Sequence, residues 1–245
     1  MLIEACVDSV ESAVAAEQGG AGRIELCANL IEGGTTPSDG TLSICRERLG
    51  IPIFVLVRPR GGDFLYSDVE VEVMRRDILR AKELHADGVV IGLLAPDGAL
   101  DLGRLQRLMD AAHPMSVTHH RAFDVCRNPH EALEDLIRIG AERVLTSGQA
   151  AGAPDGIPAI KRLVEQAAGR IGILPGGSID ETNVMDVVRG TGVTEVHLRG
   201  TVSIESGMTF RAPQVVIGNP LPPNDYVREV TDAETIRRAV RRLGG

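Results

Sequence analysis

Two stretches of this chain repeat one pattern, Ile3-Glu4-Ala5-Cys6 and Ile24-Glu25-Leu26-Cys27. On extended backbone, successive side chains alternate between faces, so each Glu shares a face with the Cys two residues later. Two carboxylates and two thiols then occupy one wall. Soft thiolates suit Cu(I), whereas oxygen-rich sites select Mg²⁺ or Mn²⁺. Cys6 and Cys27 are therefore the metal-ligand candidates, although free cysteine is also a common small core residue. Acidic side chains rarely enter a strand core unless they are paired or functional, which makes Glu4 and Glu25 candidates for acid/base work.

Further chemistry-bearing residues follow other apolar runs. Arg58-Pro59-Arg60-Gly61-Gly62-Asp63 places two guanidinium forks beside a glycine turn. Arg58 and Arg60 either bind an anion or neutralise Glu4, Glu25 and Asp63. In Thr118-His119-His120-Arg121-Ala122-Phe123-Asp124, alternation from Thr118 points His120 inward and His119 outward. His120 is a proton-carrier candidate, with Asp124 as the carboxylate that orients its ring. Ser147, and the Gly176-Gly177 pair whose amides could approach a phosphate, complete the anion-binding candidates.

Something must hold these residues together, and the periodicity supplies it. Strands are predicted over 3–7, 23–27, 53–57, 88–91, 116–120, 143–146, 171–174 and 195–198. Amphipathic helices are predicted over 10–18, 69–84, 102–112, 132–139, 157–168, 182–189 and 233–243. Eight β-then-α units in 245 residues match an α/β fold of the (β/α)₈ TIM-barrel kind, whose active sites form at the carboxyl ends of the strands. A doubly wound sheet would carry a Gly-rich turn after its first strand, where this chain has Asp8-Ser9-Val10-Glu11. No linker divides residues 1–245, so a single domain is expected. Its irregular surface segment, residues 201–223, precedes the terminal helix and is an expected oligomer contact.

Composition narrows the function. With 43% hydrophobic and 24% charged residues the chain falls in the globular class. A net charge of −8 and 2% aromatic residues argue against a nucleic-acid partner, because neither a phosphate-binding surface nor a stacking platform is available. There is no 18-residue apolar run, so no membrane span is expected. Four cysteines without CxxC spacing, and a start lacking signal-peptide features, lead us to expect reduced thiols in the cytoplasm. Cys45 and Cys126 read as packing residues.

Six segments resemble the CutC family, named for copper homeostasis. They are Cys6-Val7-Asp8-Ser9-Val10-Glu11-Ser12-Ala13, Arg23 to Cys27, Glu32-Gly33-Gly34-Thr35-Thr36-Pro37-Ser38, Arg58 to Asp68, His120 to Asp124, and Leu145-Thr146-Ser147-Gly148. The likeness runs from residue 3 to about residue 210. It implies a cytoplasmic (β/α)₈ barrel, usually a homo-oligomer, with Cu(I) held by Cys6 and Cys27. The chain departs from the family pattern at His119, where Phe is usual, at Ser178, where a third glycine is usual, and over His197-Leu198-Arg199-Gly200-Thr201.

Two functions follow. One is copper homeostasis through Cu(I) binding, with no other cofactor evident. The alternative is a barrel enzyme acting on a small anionic or phosphorylated metabolite, with Glu4 or Glu25 and His120 moving protons.

Overall fold

The computed structural model describes residues 1–212, 214–215 and 226–244. Eight short parallel strands form the barrel: β1 (Leu2–Val7), β2 (Arg23–Leu26), β3 (Ile53–Leu56), β4 (Gly88–Ile91), β5 (Ser116–His119), β6 (Arg143–Thr146), β7 (Gly172–Pro175) and β8 (Glu195–Leu198). They are hydrogen-bonded in the order β7-β6-β5-β4-β3-β2-β1-β8. The seam between β7 and β8 has no ladder, but the strands abut: a Cβ on Gly176 would meet His197 Cβ at 3.2 Å. The (β/α)₈ expectation holds, and three of the eight strands match the expected bounds.

Helices α1 (Val10–Gly19), α2 (Asp39–Arg48), α3 (Asp68–Glu83), α4 (Leu102–Ala112), α5 (Pro129–Ile139), α6 (Ala153–Ala167), α7 (Val184–Thr191) and α8 (Ala233–Arg242) surround the strands. Their starts are written locally. Ser9 caps α1 by accepting from Ser12 N, Ser67 and Glu70 form a reciprocal capping box on α3, and Asn128 precedes Pro129 at the start of α5. Helix α8 closes the ring against α1, where a Cβ on Gly19 would meet Ile236 Cβ at 2.6 Å. Helix α2 was not among the expected helices; only Leu42 and Cys45 of it are buried, too narrow an apolar face to stand out.

Alternation sorts the strand residues into two layers. Ile3, Ala5, Val7, Ile24 and Leu26 lie in the main core, and burial of each of the four larger side chains contributes roughly 1.5–3 kcal/mol. Cys6, Cys27, Phe54, Leu56 and Val90 form a smaller cluster inside the barrel. Below it, Phe54 lies between two guanidiniums, with Arg23 Cζ at 4.9 Å and Arg143 Cζ at 5.2 Å from its centroid. Gly88 makes room for that ring, because a Cβ there would lie 2.7 Å from it.

One expectation is corrected. The stretch after β8 is not irregular throughout: β9 (Thr201–Glu205) pairs antiparallel with β10 (Val227–Thr231), with Val202 opposite Val230. Both strands are largely exposed, so they lack the half-buried alternation that would have marked them. Gly218 to Pro223 lies outside the described residues.

Candidate functional site

Strand register assembles the inner wall. Glu4 pairs with Arg23 on β2 and with His197 on β8, while Cys6 stands opposite Glu25. Glu4 is fully enclosed: Arg23 Nε donates to its Oε2, and His197 Nδ1 lies 2.8 Å from its Oε1. Arg23 continues to Glu195 at 2.6 Å, which also pairs with Arg143 at 3.2 Å. Burial alone would raise the Glu4 carboxyl, but the His197 hydrogen bond and the charges of His197 and Arg23 outweigh it and hold it at about 2. Glu4 is thus a permanently charged anchor rather than a proton carrier.

The other face of His197 meets the second carboxylate and the thiols. Its Nε2 lies 3.7 Å from Glu25 Oε2. Burial works to neutralise His197, yet hydrogen bonds with Cys6 and Glu4 and the charge of Glu25 hold its pKa well above the usual histidine range. The Cys6 thiol is drawn well below its usual value, first by the hydrogen bond from Cys27 and then, against burial, by His197. Burial pushes Cys27 up, and Cys6 adds to the effect. Burial and the charge of Cys6 do the same to Glu25. Cys6 thus gains thiolate character beside His197, while Cys27 and Glu25 hold their protons more tightly than usual. Cys6 Sγ and Cys27 Sγ are 3.8 Å apart, and Cys27 Sγ is 3.6 Å from Glu25 Oε2. One donor atom from each of Cys6, Glu25 and Cys27 lies within 4.8 Å of the others.

Above this wall opens a cavity of about 490 Å³, bordered by Cys6, Glu25, Arg58, Phe64, His120 and His197. Arg58 is buried, and its fork is pinned by three carbonyls: Nη1 donates to Glu32 O at 2.9 Å and Gly34 O at 2.7 Å, and Nη2 to Gly62 O at 2.8 Å. Its Nε has no partner. His120 Nδ1 accepts from Ala122 N at 3.1 Å, which assigns the ring proton to Nε2, a buried donor also without a partner. Burial, then the charges of His119 and Arg58, hold His120 well below the usual histidine range. The ring borders the cavity, while its Nε2 is itself buried. Leaving such a donor unmet costs roughly 1–3 kcal/mol.

Other candidates stand elsewhere. Asp124 does not orient His120: the 3-10 turn Arg121–Val125 carries it to Thr146 Oγ1 at 2.5 Å, Ser147 N at 3.0 Å and Arg121 Nε at 2.7 Å. Ser147 Oγ is engaged with Asp124 and Ala150 O, so it holds a loop rather than an anion. Arg60 is away from the cavity and staples its own loop, bonding Glu70 Oε1 at 2.6 Å, Asp63 Oδ1 at 3.0 Å and Leu65 O at 2.8 Å. The Gly176 amide donates to Thr146 O at 3.0 Å, and the residue is glycine because a Cβ would lie 2.5 Å from Leu145 Cδ1. Gly177, at φ 93°, does border the cavity. Ser178 follows in the left-handed region at φ 57°, which glycine adopts most readily.

Comparison with known proteins agrees with this geometry. The family model described as the CutC family matches residues 1–202, from β1 into the start of β9. The chain belongs to the CutC family. It is 52% identical over 236 residues to the mouse copper homeostasis protein cutC homolog, covering 96% of this chain and 87% of the relative. A CutC family protein of Bacteroides fragilis is 46% identical over 243 residues, covering 99% and 97%. A Streptococcus agalactiae crystal structure, described as a copper homeostasis protein CutC, superposes with a TM-score of 0.77 at 34% identity, covering 81% of this chain and 98% of that one.

Within this CutC chain, sequence reading left His197 out of the site. The signal was present: alternation from Glu195 puts His197 on the inner face, and barrel closure brings β8 beside β1. Arg121 and Arg199 also border the cavity and were passed over as candidates.

Proposed function

We propose that this CutC chain serves copper homeostasis by binding Cu(I) through Cys6 and Cys27. One observation carries the reading: two buried thiols 3.8 Å apart, with a Glu25 carboxyl oxygen 3.6 Å from Cys27, where Cys6 and Glu25 border an open cavity. The donor set fits the ion. Soft sulfur favours Cu(I), whereas a structural Zn²⁺ would demand four close ligands and three donors cluster here. His197, whose pKa is held up beside Cys6, favours the thiolate that a metal requires. A reducing cytoplasm is the compartment in which both sulfurs would stay as thiols. Titrating the reduced chain with Cu(I) against bicinchoninate tests this. We expect one tightly held Cu(I) per chain and an affinity lower by about tenfold or more, ~1.4 kcal/mol, in Cys6→Ser/Cys27→Ser. Equal affinity in that variant refutes the reading.

A second reading is favoured by the cavity, whose 490 Å³ suits a small metabolite rather than an ion alone. In that reading the chain is a barrel enzyme. Glu25, whose carboxyl burial pushes up, and His197, whose pKa is held up beside it, are the proton donors, and Glu4 positions His197.

A further inference from the structure

Arg58 and His120 stand at the carboxyl ends of β3 and β5 and border the same cavity. Each is at least nine-tenths buried, and each carries a donor that meets no hydrogen-bond acceptor among the described residues, Arg58 Nε and His120 Nε2. Phe64 touches both: Arg58 Cζ is 5.2 Å from its ring centroid, and the His120 ring is 5.0 Å away. Both donor atoms are themselves buried. The Tyr66 hydroxyl feels both the charge of Arg58 and a side-chain hydrogen bond from it, which makes it the protein group that competes for this guanidinium. Native folds satisfy nearly all buried polar groups, so two orphan donors on one cavity mark the place of a missing acceptor. Arg121 and Arg199 add positive charge to the cavity, while Leu56, Leu145 and Ile179 give it an apolar side. Copper at the thiols uses none of these groups.

We propose that the cavity binds a small organic anion, whose carboxylate or phosphate group accepts from Arg58 Nε and His120 Nε2 while its carbon skeleton lies along Leu56, Phe64 and Leu145. The site names the ligand class for the enzyme reading and is independent of copper binding. Its place is the ends of β3 and β5, not the turn after β7, where the Gly176 amide is already bonded.

The test is an NMR titration of the reduced, copper-free, ¹⁵N-labelled full chain. Sodium phosphate and sodium succinate are added separately at constant ionic strength, and the Arg58 Nε–H and His120 Nε2–H signals are followed. We expect one arm to move both signals along a single saturable curve, phosphate for a phosphorylated ligand and succinate for a carboxylate. The curve persists in Cys6→Ser/Cys27→Ser, so the outcome stands whatever the copper titration gives. In His120→Asn, which keeps an acceptor for Ala122 N, the half-saturation rises about tenfold. Signals that stay silent in both arms, as a buried water or the Tyr66 hydroxyl acting as acceptor would produce, overturn the proposal. So does a linear drift equal to that with chloride.

Discussion

His197 Nδ1 lies 2.8 Å from Glu4 Oε1, so the last strand of the barrel and the first share a buried, charged hydrogen bond. The pairing joins residues 193 positions apart. It also fixes which ring nitrogen faces the thiols, since Nδ1 is committed to Glu4.

Removing the Glu4 charge leaves Arg23 and His197 buried without their main counter-ion. Glu4→Gln is therefore expected to lose about 3–5 kcal/mol of stability at pH 7, measured by urea denaturation. The sign with pH follows from a folded pKa of about 2 against an ordinary 4.5. The contribution of Glu4 is fully present above pH 4.5 and fades as pH falls toward 2, so parent and variant converge in acid. His197 runs the other way: its pKa is raised, so its contribution is complete below pH 6.5 and is lost as pH climbs through the folded value. A Glu4→Gln deficit that stays constant from pH 7 to pH 2.5 would contradict the ion-pair account.

His119 faces the helix layer, as alternation predicts, and packs edge-on against Phe123 at 6.5 Å. Both of its ring nitrogens are buried with no hydrogen-bond partner of good geometry among the described residues, and burial, outweighing the His120 backbone, lowers its pKa to about 4. The unfolded chain therefore takes up a proton that the folded chain refuses, and stability drains away as pH falls from 6.5 to 4. His119→Phe removes the titrating ring and with it this drain. The stability difference, variant minus parent, should widen by about 3 kcal/mol between pH 7 and pH 4 in urea melts. An unchanged difference would mean that His119 finds a partner.

Arg60 was a natural anion candidate, but its hydrogen bonds go to Glu70, Asp63 and nearby carbonyls, and its side chain is more than a third exposed. Arg60→Ala should cost about 1 kcal/mol or less and leave Cu(I) affinity within error of the parent. Loss of copper binding in that variant would show that the loop, rather than the thiol pair, controls the site.

The residues explain how far the sequence could be read. Ile-Glu-X-Cys revealed the inner wall because alternation along a buried strand is rigid, and β1 and β2 are paired in the register that sets Cys6 opposite Glu25. Asp124 was misplaced because alternation ends with β5 at His119; the 3-10 turn then rotates the chain and delivers the carboxylate to Thr146 and Ser147. Arg60 failed for the same reason, lying beyond Leu56 in a loop that folds onto itself. The link between His197 and Glu4 was hidden because only closure of the barrel makes the first and last strands neighbours.

X-ray absorption at the copper edge tests the central claim most directly. The reduced chain loaded with one equivalent of Cu(I) should show a coordination shell dominated by two sulfurs, and Cys6→Ser/Cys27→Ser treated alike should lose that shell. A shell of nitrogen and oxygen alone in the parent, or an unchanged sulfur signal in the variant, would contradict the assignment of Cys6 and Cys27 as the copper ligands.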